Sequence, residues 1–144
     1  HQGFAAYYSH NTYVAEVAEV VMEENRPRVK KVWCAVDCGI VVNRSGAETQ
    51  AAGGIIDGFG HAMHGALTLK DGAPEQQNFD RYQMIRIAEA PEVETFFVEN
   101  EEPPTGLGEP TLSLVQGAVA NALSAATGKR LYRQPFSLDL KVLG

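Results

Sequence analysis

At 144 residues, with 44% hydrophobic and 21% charged composition, the chain has the size and make-up of a single packed domain spanning 1–144. It carries 12 basic and 18 acidic residues, a formal net charge of −6, and no basic run longer than Arg28 to Lys31 or Lys129-Arg130, which argues against a nucleic-acid partner. No apolar span of about 18 residues and no charged-then-apolar leader is present, so membrane insertion is not expected.

The opening HQGFAAYYSH lacks an initiator methionine, and the chain is expected to be an excerpt of something longer. Residues 12–24, TYVAEVAEVVMEE, fit both a helical period and strand alternation. The strand is favoured because Asn25-Arg26-Pro27 signals a turn and a β-branched run follows from Val29 to about Asp37, giving a hairpin. Asn43 suits a cap for a helix over Gly46 to His64, where Ile55, Ile56, Phe59, Ala62 and Met63 form one apolar face. Its four interior glycines, Gly53, Gly54, Gly58 and Gly60, cost about 3–4 kcal/mol relative to alanine, so something must compensate. Gln50, Gly54, Gly58, His61 and Gly65 form a stripe of nearly bare backbone that permits close approach by another chain segment or by a ligand.

A strand is expected at Gly65 to Leu69, closed by the Asp71-Gly72 turn, then an extended loop, then a strand from about Glu92 to Glu99. Pro103, Pro104 and Gly106 break regular structure before a helix over Thr111 to Thr127, with Pro110 in its first turn and Gly128, Lys129 and Arg130 as its stop. The tail FSLDLKVLG alternates like a last strand. The predicted class is α+β: a two-layer sandwich in which a mixed sheet carries about two main helices on one face.

Glu109, between Gly108 and Pro110, is read as the N-cap of the last helix, where the positive end of the helix dipole stabilises a negative charge. Gly106 and Gly108 let a ligand approach without side chains in the way. On local chemistry alone, capping is the favoured explanation of the same residues. Cys34 and Cys38 lie on one strand face more than ~10 Å apart, too far for a disulfide, and read as buried small apolar residues. His61 and His64, three apart, lack a third ligand, and no metal-ligating side chains are expected.

Four segments in order, VWCAVDCGIVVN, ETQAAGGIIDGFGHAM, QQNFDRYQMIRIAEAPEVE and EEPPTGLGEPTLSLVQGAVANALSAATGKRLYRQPF, resemble the C-terminal part of the molybdopterin-binding large subunit of the xanthine dehydrogenase and aldehyde oxidase family. The likeness covers nearly all of residues 12–136 and is nearest to the large subunit of isoquinoline 1-oxidoreductase-type bacterial proteins. It implies hydroxylation of an N-heterocycle, or oxidation of an aldehyde, with oxygen taken from water. It also implies a molybdopterin cofactor in its cytosine dinucleotide form, and a base role for Glu109, which matches the glutamate of the family's G-x-G-E-P loop. Gln50, with Gly53 and Gly54, matches the family's Q-x-E-G-G helix start near the pterin, and Gly108 belongs to the loop that carries Glu109.

Two positions depart from the pattern: Ala52 stands where an acidic residue is expected, and Arg44 where proline commonly follows asparagine. Asn78, Phe79, Asp80 and Tyr82 match a family loop, though a solvated loop packed by its aromatics explains them equally well. The resemblance implies as partners the remaining molybdenum-binding segments and an iron–sulfur small subunit, for whose clusters this chain has no cysteine framework. By itself the chain is not expected to turn over, and related enzymes leave its compartment open between the bacterial cytoplasm and periplasm. The alternative reading is a non-catalytic assembly module that keeps the family fold and self-associates into a homo-oligomer through exposed surfaces.

Overall fold

Alternation through the first third of the chain builds the centre of the structure. The computed structural model describes residues 1–140. In chain order the elements are β1 (Gln2–Ser9), β2 (Thr12–Glu23), β3 (Arg26–Asp37), α1 (Arg44–His64), β4 (Leu69–Lys70), β5 (Ala73–Pro74), β6 (Glu92–Phe97), α2 (Gly108–Thr127) and α3 (Phe136–Leu140). β2 turns Thr12, Val14, Glu16, Ala18 and Val20 to a buried face, and β3 adds Val29, Val32, Cys34 and Val36. Val29 and Val32 share that face although they are an odd number of positions apart, because the register shifts between Glu19 and Val20, a local irregularity that absorbs one residue of β3.

The sheet order is β1-β2-β3-β6, antiparallel except for the parallel β3–β6 pair, whose connection runs through α1. Lys31 strengthens that junction with ion pairs to Glu92 at 2.8 Å and Glu94 at 2.9 Å, and its ammonium lies 5.3 Å from the Trp33 ring centre. Both long helices cover one sheet face: α2 lies over β1 and β2, and α1 packs on α2 toward β6. Leu114, Val115, Ala118, Val119, Ala122 and Leu123 of α2 and Ile55 and Phe59 of α1 close the core over the valines of β2 and β3. This is the α+β, two-layer arrangement expected from the sequence.

The helix–helix contact explains the costly glycines of α1. An added Cβ at Gly54 would lie 2.6 Å from both the Gly108 carbonyl oxygen and Thr111 Oγ1, and one at Gly58 would overlap the Leu112 carbonyl oxygen. The bare stripe therefore admits another chain segment, the first turns of α2. Gly53, by contrast, is exposed, with no atom within 4 Å of an added Cβ.

Four local expectations are corrected. The opening residues form β1, which the sequence did not signal because QGFAAYYS lacks clean polar–apolar alternation. The strand expected at Gly65 to Leu69 is only the two-residue β4, paired with β5 across the Asp71-Gly72 turn. Helix α2 begins at Gly108, so Leu107 is the N-cap and Glu109 lies inside the first turn, where three-residue back-bonding by Thr111 Oγ1 to the Gly108 carbonyl (2.8 Å) secures the start. Residues 136–140 of the expected last strand are the short helix α3, and the rest of that strand lies outside the described residues. The hairpin, the Asn43 cap, whose Oδ1 accepts from Gly46 N at 2.9 Å, and the left-handed Gly128 stop agree with expectation. Cys34 and Cys38 are free and buried.

Among the described residues the core contains one carboxyl group. Glu16 is fully buried opposite Cys34 in the β2–β3 pairing, and neither oxygen has a hydrogen-bond partner of ordinary geometry. Burial pushes its pKa from 4.5 up to about 8, an effect only partly offset by the neighbouring thiol, a weak donor. The same burial, with the Glu16 charge beside it, raises the Cys34 thiol.

An acid whose pKa is higher in the folded state keeps its proton there while the unfolded chain loses it, so stability falls as pH rises through the window from 4.5 to about 8. Denaturant unfolding at pH 5 and pH 8 should show wild type losing on the order of a few kcal/mol across this window relative to Glu16→Gln, which removes the titrating group. In the helix pair, Gly58→Ala should destabilise by ~1–3 kcal/mol because the helices must separate. Gly53→Ala should stabilise by ~0.5–1 kcal/mol, and equal effects at the two sites would contradict the packing described.

Candidate functional site

The crossing of α1 and α2 decides where the chemistry-bearing residues lie. Gln50 stands one turn before Gly54 on α1, exposed, and its amide nitrogen rests against the Cα of Gly108, so that a Cβ on Gly108 would overlap it. Glu109 is the next residue along. Three of the five residues read from the sequence, Gln50, Gly108 and Glu109, thus gather where α2 begins. Gly54 is turned into the helix contact, and Gly53 lies one turn along from Gln50 on open surface.

The floor beneath this cluster is fixed by buried polar contacts. Thr111, fully buried, holds the Gly108 carbonyl and leans toward the Ala51 carbonyl at 3.4 Å, joining the two helices through one hydroxyl. On the other side the β1–β2 turn meets the loop before α2. The hydroxyl of Thr12, also fully buried, lies 2.7 Å from Thr105 Oγ1 and donates to the Gly106 carbonyl, while Gly106 N donates to the His10 carbonyl at 3.2 Å. The loop 105–108 is therefore clamped between a hairpin and a helix.

Electrostatically the cluster is simple. The Glu109 side chain is 76% exposed, and one oxygen, Oε2, is 3.6 Å from His10 Nε2. It lies at the positive end of α2, where the first-turn N–H groups have no intrahelical acceptor. Within the described residues the carboxylate is not enclosed, so any exclusion of water from it requires another surface. Arg44, where the family pattern has proline, pairs with Glu48 at 3.1 Å and Glu99 at 3.8 Å and sits 5.7 Å from the Phe97 ring centre, bridging the start of α1 to the end of β6. Ala52 is half-buried.

The remaining candidates lie in other settings. His64 pairs with Glu89 at 2.9 Å and His61 approaches Asp57 at 3.7 Å; among the described residues no group of three or more side chains is arranged to hold a metal ion. Asn78 accepts backbone bonds from Arg81 and Tyr82 in a turn that leaves Phe79 exposed. Sequence reasoning missed His10 and Thr12. The signal was present in the His10-Asn11 pair between β1 and β2, both in the left-handed region that such hairpin turns require, but it was hidden by the weak pattern of β1.

The family profile described as molybdopterin cofactor-binding domain matches residues 1–91. The chain belongs to this family. It is similar to the isoquinoline 1-oxidoreductase subunit beta of Brevundimonas diminuta, 34% identical over 127 residues, covering 87% of this chain and 16% of that protein. It is also similar to a membrane-bound aldehyde dehydrogenase of Gluconacetobacter polyoxogenes, 35% identical over 106 residues, 74% of this chain and 14% of that protein, which is named for a different redox cofactor, pyrroloquinoline quinone. In fold it resembles the reconstituted CO dehydrogenase from Oligotropha carboxidovorans, with a TM-score of 0.76 at 18% identity over 92% of this chain and 18% of that one. The chain thus spans under a fifth of the length of these relatives, and the family it belongs to is that of a molybdopterin cofactor-binding domain.

The residues at the α1–α2 junction suit such a group. An exposed primary amide offers both a donor and an acceptor to a pterin edge, and Gly53, one turn along, leaves open the space that a Cβ would fill. At Gly106 and Gly108 that space is taken by His10 and by the Gln50 amide, so those two glycines admit neighbouring side chains and not the ligand expected from the sequence. Gly108→Ala should keep the fold but displace the Gln50 amide; the check is a shift of the Gln50 side-chain amide resonances, with those of the β2–β3 core unchanged.

Proposed function

We propose that this domain contributes the general base and part of the cofactor site of a molybdenum hydroxylase acting on an N-heterocycle or an aldehyde. Glu109 is the base, and Gln50, Gly53, Gly54 and Gly108 form the chain's share of the pterin surface. Gln50 binds an edge of the pterin, Gly53 admits it closely, Gly108 acts by giving the Gln50 amide its place, and Gly54 acts by letting α2 approach. The observation that carries this reading is the packing of the Gln50 amide against Gly108, directly beside the exposed Glu109.

When bound, molybdopterin, here in its cytosine dinucleotide form, supplies the two-electron redox chemistry and the activation of water. The overall change balances as R–H + H2O → R–OH + 2 H⁺ + 2 e⁻. The Glu109 carboxylate, carried on the first turn of α2, takes one of those protons from the water-derived oxygen. The electrons leave through an iron–sulfur partner, since this chain has only two cysteines, both buried and free.

Two features support assembly with the remaining molybdenum-binding segments. Glu109 and Gln50 are open to solvent, as groups at a shared boundary are. The uncovered sheet face also carries exposed Phe4, Tyr8, Tyr13, Phe96 and Val98, a patch of the kind that is ordinarily covered. The same patch favours, as a second reading, a non-catalytic assembly module that self-associates.

In the assembled enzyme, Glu109→Gln should lower kcat about 10²–10⁴-fold while molybdenum and pterin content stay at wild-type levels. Turnover within twofold of wild type at equal cofactor content would remove the base role. Mass spectrometry of the bound small molecule separates a pterin nucleotide from a quinone, and finding neither in an assembly that shows no turnover would leave the assembly-module reading.

A further inference from the structure

The reading of Glu109 as base leaves its immediate neighbour unexplained. The β1–β2 turn consists of His10 and Asn11, with φ of 53° and 59°, a geometry that glycine meets without steric conflict and histidine does not. This turn nevertheless presents an imidazole to the start of α2. Ser9 Oγ lies 2.8 Å from His10 Nδ1, which engages that ring nitrogen and leaves Nε2 as the one facing Glu109 Oε2 at 3.6 Å. That separation is an ion-pair distance and longer than a hydrogen bond, so the contact acts by charge and dipole.

The backbone under the imidazole is held unusually well for a hairpin tip. Gly106 N donates to the His10 carbonyl, Thr12 and Thr105 join hydroxyls, and the Thr12 hydroxyl donates to the Gly106 carbonyl. A Cβ at Gly106 would lie 2.6 Å from His10 Cβ, so the loop leading into Glu109 and the histidine are in direct register. Both side chains are substantially exposed, 51% for His10 and 76% for Glu109, and an exposed glutamate at a helix start otherwise samples several rotamers.

We propose that His10 is a positioning residue for Glu109: supported by Ser9, its Nε2 side attracts Oε2 and selects the rotamer in which the other carboxylate oxygen is free to accept the proton. The proposal rests on Glu109 being the base. Nothing in the G-x-G-E-P loop itself would reveal it, because the residue comes from the opposite end of the sequence.

The test has two arms. In the chain itself, three-bond NMR couplings about Cα–Cβ and Cβ–Cγ of Glu109 should report one dominant rotamer in wild type and averaging in His10→Gly, which keeps the turn while removing the ring. His10→Gln, which restores a donor of similar reach, should recover the dominant rotamer, with α2 amide shifts unchanged throughout. In the assembled, cofactor-loaded enzyme, His10→Gly should lower kcat about tenfold with KM within about twofold and unchanged pterin content, and His10→Gln should recover most of the loss.

Couplings already averaged in wild type, or identical in wild type and His10→Gly, overturn the proposal. So does an unchanged kcat. Glu109→Gln distinguishes the two layers: if it is inactive while His10→Gly changes nothing, the base reading survives and the positioning role falls. If it retains wild-type turnover, the base reading fails and the proposal falls with it.

Discussion

The close crossing of α1 and α2 is the contact on which the rest of the structure depends. Backbone meets backbone there: Gly54 lies against the Gly108 carbonyl and Gly58 against that of Leu112, with no side chain between. The glycines weaken α1 as an isolated helix, and the deficit is offset by tertiary packing of Ile55 and Phe59 against Val115 and Val119 over the valines of the sheet. Because the helices meet at this depth, the start of α2 rises beside the Gln50 turn of α1. Any bulkier pair at the crossing would move the amide and the carboxylate apart together.

A second constraint comes from the sheet side. The loop entering α2 is tied to the β1–β2 turn by two threonine hydroxyls and a backbone bond, and Thr111 ties the first turn of α2 to α1. Glu109 is therefore fixed by its backbone from two directions while its side chain remains open. This division suits a domain that supplies one wall of a site. The rigid elements set the carboxylate proposed as the base in position, and a surface that excludes water from it would belong to whatever docks over it.

Much of this was legible in the sequence, and the exceptions have physical causes. β2 and β3 announced themselves through alternation and β-branching, α1 through Asn43, and the end of α2 through Gly128, because each of those signals is local. Glu109 as N-cap was off by two positions, since Pro110 fits anywhere in a first turn whose N–H groups lack acceptors, and a proline therefore marks the turn but not its first residue. β1 was silent because its pairing with β2, not its own pattern, makes it a strand. The tail alternated like a strand yet folds as α3 over residues 136–140, where Phe136 finds its burial beside the helices. The stripe of glycines was visible, but whether a helix or a ligand would fill it depended on a crossing that no single segment encodes. His10 lay beyond local reading for the same reason.

The contacts that assemble the site are also among the most distant in the polypeptide: Thr12 meets Thr105 across 93 residues and Thr111 reaches Ala51 across 60. Bringing such remote points together carries a larger closure entropy than the neighbouring turns do, so these ties are expected to form after the local hairpin and helices. A molecule held where the two helix starts meet would then be recognised only by chains that have completed their topology, so that its binding would report on correct maturation as well.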